Sequence, residues 1–248
     1  MHGLGVFVNI LIPMAGEGAR FKQEGKKIIK PLIDVLGKPM AVRAIETLGL
    51  DGNFIFIVQN NEVGMEILDT ISMYYKKFKA FFVDGLTEGP ACSALAAKEA
   101  IDNEEKLIIT NCDQVLTWDS NAFSFFINSI DYEGLIVTYF CDTNKNSYAK
   151  VDSKGLVSVI KEKEIISDIS LNGVHYWKKG KDFVSSAEEM INKKDKSING
   201  EYYIGPTYNY MIKKKKRVGI YHIPNSQHHA IGVPEDLERY LKNADLQS

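Results

Sequence analysis

VFVNILIPMAGEGARFKQEGKKIIKPL, residues 6–32, is the stretch whose reading decides the fold. Residues 6–12 are apolar except for Asn9 and rich in β-branched side chains, the pattern of a strand buried on both faces. The run stops at Pro13, and Gly16, Gly18 and Arg20 follow in quick succession. Glycines just past a strand end let the backbone turn tightly and bring its N–H groups close to an anion, because no Cβ blocks the approach. Arg20 offers a planar fork of donors suited to phosphate oxygens, and Lys30 adds a point charge. A strand end, a bare loop and two cations together point to a polyphosphate site.

Two other glycine loops fit less well. A dinucleotide-binding fingerprint needs a third glycine where this chain has Phe21, and no stretch carries the Gly-Lys-Ser/Thr ending of a Walker A loop. Lys26 and Lys27 read as solvated charges.

Bulk properties narrow the class. At 248 residues, 45% hydrophobic and 25% charged, the chain suits one large globular α/β domain. A net charge of −2 gives no reason to expect nucleic acid or an anionic membrane as partner. Apolar runs are strand-length, so no membrane span is expected. The opening residues lack the basic and apolar segments of a secretory signal. Cys92, Cys112 and Cys141 are odd in number and lack metal-ligand spacing, which suggests reduced thiols and a cytoplasmic location.

Strand and helix patterns alternate through the first half. Strands are expected at 54–58, 80–83 and 106–110, and helices at 39–48, from about 59–61 to 75, and at 91–100. Such alternation argues for a largely parallel sheet with right-handed crossovers. Past Asp113 the pattern predicts helices at 121–130, 182–191 and 234–242, and, from a weaker pattern, at 202–214. It also predicts strands at 134–140, 171–177 and 218–223, and a hairpin of 149–152 with 156–161. Ligands of an open α/β sheet bind beyond the carboxyl ends of its strands. The glycine loop, residues 84–90 and residues 111–114 should therefore meet in one crevice.

AGEGARF (15–21) followed by KPL (30–32) resembles the signature loop of the sugar-phosphate nucleotidyltransferases and cytidylyltransferases. GKPM (37–40), EGPA (88–91), NCD (111–113), EK (162–163), GE (200–201) and GVPEDL (232–237) extend the resemblance over nearly the whole chain. It implies a three-layer α/β/α, Rossmann-like (GT-A-like) fold with a mixed, mostly parallel sheet. It also implies one domain, with a nucleotide-binding half at about 1–118 and an acceptor-binding half at about 119–248.

The resemblance also assigns roles. Arg20 and Lys30 would be catalytic, and Met14, Ala15, Gly16, Glu17 and Gly18 would hold the triphosphate. Gly89 matches the residue whose backbone meets the base, with Asp84, Glu88 and Pro90 beside it. Asp113 matches a ligand of Mg²⁺, an ion that takes one or two protein carboxylates. The family's second aspartate falls at Ala230, so the second ligand is open; His228 or His229 is an alternative, although adjacent histidines read more readily as a solvated turn and Mg²⁺ prefers oxygen. Glu162 and Lys163 match a pair that meets acceptor and phosphate, although KEKE (161–164) by itself reads as a solvated strand end. Asn172, Gly173 and Glu201 match the acceptor pocket, with Tyr148 as a further wall.

The activity so implied is transfer of a nucleoside monophosphate to a phosphorylated small molecule, sugar or non-sugar such as an amino-acid phosphate, with release of pyrophosphate. The acceptor phosphate is already anionic at neutral pH, so no general base is required. The spacing of Gly16, Gly18 and Arg20 is similar to that of cytidylyltransferases and points to CTP. The altered turn at 232–234 is similar to a capsule-cluster branch that includes CTP:phosphoglutamine cytidylyltransferases. A homodimer is one option for the assembly. The competing readings are a glycosyltransferase of related fold, which normally needs an Asp-x-Asp where this chain has Asp113-Gln114-Val115, an NAD-dependent oxidoreductase, disfavoured by Phe21, and a nucleotide-binding regulator without turnover.

Overall fold

β1 (Val8–Pro13) lies inside the sheet, parallel to β2 (Asn53–Gln59) on one edge and to β4 (Lys106–Thr110) on the other. Both its faces are covered too, which is why apolar residues follow one another without alternation. Ile10 and Ile12 enter the core on one face and Leu11 enters the other. The protein is described by a computed structural model covering residues 8–16 and 29–246.

β3 (Lys79–Val83) extends the sheet beyond β2 in the same direction. Beyond β4 comes β9 (Ile169–Trp177), antiparallel to β4 and to the next strand, β6 (Gly134–Phe140). β10 (Val218–His222) closes that side, parallel to β6. Among the described residues the order is β3-β2-β1-β4-β9-β6-β10, mostly parallel with one reversed strand inside. The hairpin of β7 (Ser147–Val151) and β8 (Val157–Glu162) joins β9 where Tyr148 meets Ser170.

Helices cover both faces. α1 (Met40–Leu48), α2 (Glu62–Tyr74) and α5 (Ser120–Ser129) bury Val42, Ile45, Ile67, Ile71 and Phe123 in the core that holds Ile10. α3 (Pro90–Leu95), α4 (Lys98–Ile101), α6 (Gly180–Asn192) and α7 (Tyr208–Lys213) bury Ala91, Ile101, Phe183 and Met211 on the other side. This is the three-layer α/β/α, Rossmann-like fold with a mixed, mostly parallel sheet that the sequence led one to expect. Local signals act as written: Gly49 ends α1 in the left-handed region at φ 65°, and Asn61 caps α2 by accepting from the Gly64 N–H at 3.0 Å. No helix among the described residues is long and apolar enough to cross a membrane.

Four details depart from the sequence reading. Residues 91–100 form two short helices rather than one. The span 202–214 is helical only from Tyr208, because Gly205 and Pro206 impose a 3-10 turn first. Residues 114–116 form a strand, β5 (Gln114–Leu116). It pairs antiparallel with β11 (His228–Ala230), so the two histidines belong to a strand and not to a solvated turn. α8 (Pro234–Asp245) packs on this ribbon through a small cluster of Val35, Met40, Val115, Ile231 and Leu237.

Candidate active site

The exit of β1 is held in place before the glycine loop begins. The Met14 N–H donates to the Ile57 carbonyl at 2.7 Å, and Gln59 Nε2 donates to the Ala15 carbonyl at 2.7 Å. Met14 and Ala15 are buried, whereas Gly16 is exposed with open space where a Cβ would stand. Glu17, Gly18 and Arg20 lie outside the described residues.

The chain returns at a 3-10 turn, Lys30–Leu32, whose Pro31 is buried. This turn carries the Lys30 ammonium to 2.5 Å from Oδ2 of Asp113, just past the end of β4. The Asp113 carbonyl accepts from the Ile231 N–H at 3.0 Å, which ties β4's exit to the strand pair. Gly232 packs directly on the carboxylate: a Cβ there would stand 2.6 Å from Asp113 Oδ2 and 3.5 Å from Lys30 Nζ.

Asp113 opens onto a cleft of about 830 Å³. Of the residues predicted for the site, Pro90, Asp113, Glu162, Lys163, Asn172 and Gly173 line it. Gly173 adopts φ 97° and lies against the side chain of Asn111, whose Nδ2 is 2.2 Å from where a Cβ would be. Asn172 is buried and uses its Oδ1 to accept from the Val174 N–H at 2.9 Å. Glu162 is buried and takes the Ser147 hydroxyl as partner, so the solvated strand-end reading fails for it. Burial pushes its carboxyl above the usual range, with Ser147 and Lys163 pulling the other way. Lys163 sits in the left-handed region at φ 56° and donates to the Tyr203 hydroxyl at 3.0 Å.

Other predicted residues stand back from this cleft. Tyr148 is fully buried, its hydroxyl donating to the Thr143 carbonyl at 2.5 Å, so it packs behind the cleft wall formed by Asn146 and Ser147. Glu201 is exposed and accepts from the Tyr203 hydroxyl at 2.5 Å; Tyr203 is the cleft-lining member of that pair. Asp84 accepts from Asn60 at 3.0 Å, and Glu88 pairs with Lys196 at 2.6 Å, both exposed. Gly89 has φ 132° and is wedged against the backbone of Tyr202, which bonds to Glu88 and Ala91 on either side of it. That contact fixes the loop's path beside Pro90.

Sequence reasoning missed Tyr139 and His175 and set His228 aside as a solvated turn; all three line the cleft, as does Gln114 of the expected 111–114 segment. His228 lies against the Tyr139 ring at 4.2 Å between centroids, and burial lowers its pKa to about 4. His175 is buried beside Trp177 and Tyr208, and burial holds it at about 3. Both imidazoles are neutral at physiological pH.

Among the described residues, Asp113 is a well-placed donor for a divalent cation. Asp113 offers a partly exposed carboxylate in a notch that a Cβ at position 232 would fill. Among the described residues no group of three or more His, Cys, Asp or Glu gathers to hold a metal. The donor set fits an oxygen-loving ion that takes one carboxylate and completes its shell from phosphates and water.

No family model matches the chain, and no curated protein matches it. Solved structures do. A nucleoside-diphosphate-sugar pyrophosphorylase from Vibrio cholerae RC9 is similar with a TM-score of 0.79 at 21% identity, covering 94% of this chain and 99% of its own. A UDP-glucose pyrophosphorylase complexed with UDP-glucose gives 0.77 at 16%, covering 98% and 100%. The inositol-1-phosphate CTP transferase of T. maritima gives 0.71 at 14%, covering 96% and 95%. Similarity of this extent, over nearly all of each chain, establishes a shared fold.

Proposed function

We propose that this chain is a nucleotidyltransferase that joins a nucleoside monophosphate to a phosphorylated small molecule and releases pyrophosphate. The observation that carries the reading is the Lys30–Asp113 pair at 2.5 Å, set beyond the ends of β1 and β4, with Asp113 lining the cleft. Proteins of this fold named for such transfers span CTP, UDP-sugar and thymidylyl chemistry.

In the proposed reaction an oxygen of the acceptor's phosphate attacks the α-phosphorus of the triphosphate. The bond to the β-phosphate oxygen breaks, and pyrophosphate leaves with the electron pair. Lys30 and Arg20 would counter the charge that builds between the two phosphates, and the glycine loop would hold the triphosphate. Asp113 would hold Mg²⁺, which supplies further charge neutralisation when bound. Asn111, Asn172 and Gly173 would shape the acceptor end, with Lys163 toward its phosphate. We take CTP as the preferred triphosphate, from the spacing of Gly16, Gly18 and Arg20, and supply of a surface-polysaccharide precursor in the cytoplasm as the role.

A thermal-shift panel of CTP, UTP, dTTP, ATP, GTP and NAD with Mg²⁺ tests this reading. A triphosphate at a hundred times its Kd adds about 2.7 kcal/mol of stability, enough to see in Tm. A response to one pyrimidine triphosphate, followed by pyrophosphate release with an acceptor phosphate, is the expected result. A response to NAD alone, or to none of the six, would overturn it.

A further inference from the structure

α6 and α7 pack on each other and end in the same way. In each, the N–H two residues past the C-cap bonds back into the last turn: Asp195 to the Met190 carbonyl at 3.1 Å, and Lys216 to the Met211 carbonyl at 3.1 Å. This closure needs a left-handed residue just past the cap, a place that glycine usually takes. Both helices put a lysine there, Lys194 at φ 55° and Lys215 at φ 60°, where a Cβ is strained. A long cation held at two positions that favour glycine points to a use for the charge.

These two lysines belong to a larger basic face. Lys193 and Lys213 stand over the Tyr210 ring at 5.3 and 4.4 Å, and the Tyr210 hydroxyl donates to Asp195 at 2.7 Å, so both helix ends share one surface. Lys193 and Lys214 share Glu189, at 2.7 and 2.9 Å, and Lys216 pairs with Asp182. Among the described residues Lys194, Lys213 and Lys215 meet no carboxylate, and all three are exposed. Glu188, the next acid on α6, is neutralised by Lys98 at 2.5 Å. Six lysines thus face three carboxylates, Asp182, Glu189 and Asp195. A whole-chain charge of −2 averages this local excess away, which is why net charge gave no sign of it.

Directly after this face the chain makes a tight turn at 197–200, closed by the Gly200 N–H on the Ser197 carbonyl at 2.8 Å, with Gly200 at φ 83°. Ile198 occupies its first corner and is 85% exposed. Nucleic-acid sites rely on arginine forks and exposed rings that stack on bases. Here the Tyr210 ring is buried, and Arg217, the next residue of the basic run, is taken by Asp131 at 2.6 Å. Flexible lysine stems beside a projecting aliphatic side chain suit a fluid array of anionic headgroups with hydrocarbon beneath it. We infer that the α6–α7 face docks on an anionic lipid surface, its lysines on the headgroups and Ile198 entering the interface. None of these residues lines the cleft, and the inference does not depend on the reaction proposed above.

Flotation of the full chain with lipid vesicles tests this. Phosphatidylcholine vesicles carrying about 30% phosphatidylglycerol should bind at least about tenfold more tightly than phosphatidylcholine alone, and the difference should vanish by about 0.5 M salt. Lys194→Asn combined with Lys215→Asn should weaken that binding by at least about tenfold. Asn tolerates the left-handed cap, so Tm should hold in this double variant. Ile198→Trp keeps every charge and supplies a reporter at the tip, whose emission should shift to the blue on the anionic vesicles. Binding to neither vesicle, equal binding to both, or full binding by the folded double variant would overturn the inference. So would an unshifted emission from bound protein, since the tip would then stay in water. Tighter retention by polyglutamate or single-stranded DNA than by the anionic vesicles would overturn it too, and would assign the face to an acidic protein or to nucleic acid.

Discussion

Lys30 Nζ stands 2.5 Å from Oδ2 of Asp113, although the two are 83 residues apart in the chain. Each is placed by a separate loop, one returning from β1 and one leaving β4. The pair therefore forms only when those two strands lie side by side, which makes it a product of the fold's central register.

Lys30→Ala should lower pyrophosphate release by ~10²–10³-fold, the size of effect seen when one group stabilising transition-state charge is removed. Stability should move little, because a partly exposed ion pair contributes about 0–1 kcal/mol. Steady-state kinetics and a Tm measured side by side check both halves. A large loss of Tm with normal turnover would make the pair structural.

Gly232→Ala separates packing from function in another way. The new methyl would sit 2.6 Å from the Asp113 carboxylate oxygen, the end of a side chain that can swing aside. Tm should fall by only a few degrees, while turnover drops by at least about tenfold as Asp113 and Lys30 lose their alignment. Full activity at ordinary Mg²⁺ would show that the notch is not needed.

Gly89→Ala meets the backbone of Tyr202. Its Cβ would lie 2.6 Å from both N and O of Tyr202, at a φ of 132° that L residues rarely adopt. Strain and overpacking together should cost roughly 2–4 kcal/mol, read as a lower urea midpoint. An unchanged midpoint would mean the loop relaxes freely.

The buried imidazole of His175 makes stability depend on pH. Its folded pKa, about 3, lies below the ordinary 6.5, so folding favours the neutral ring. That contribution is complete above pH 6.5 and is lost as pH falls through that range toward 3. At pH 4.5 the loss should reach roughly 2–3 kcal/mol, at 1.36 kcal/mol per unit. His228 acts in the same direction down to about 4, whereas the raised carboxyl of Glu162 favours the fold at low pH. His175→Phe should therefore flatten the fall in Tm between pH 6.5 and 4.5. Parallel curves for the two proteins would rule the ring out as the source.

Long apolar runs and helix caps made most of the architecture legible. Residues 106–110 and 134–140 were readable as strands to the residue, because buried strands leave continuous Val, Ile and Leu. β5 and β11 were not, since three residues containing Gln, His and Ala show no period. The Asp113 exit was legible from the strand before it, and the burial of Glu162 was hidden by the lysines around it. His175 had no signal at all: in LNGVHYW (171–177) it occupies one more position of a strand, and only the packing of its ring near Trp177 and Tyr208 at the cleft sets it apart. Tyr148 shows the opposite limit, a polar-tipped aromatic beside the site whose side chain is fully occupied by the core.

β9 is made late but sits between β4 and β6, in the middle of the sheet. While the chain emerges from the ribosome, β1 to β4 can assemble as a parallel sheet in which β4 is an open flank that β9 later covers. Unpaired strand flanks of this kind recruit other chains. The nascent first half is thus exposed to misassembly until β9 arrives, and a truncation anywhere between β4 and β9 leaves that flank open permanently. Chaperone dependence during synthesis should therefore concentrate on this interval, and cutting the protein into its two nominal halves should yield an insoluble first piece.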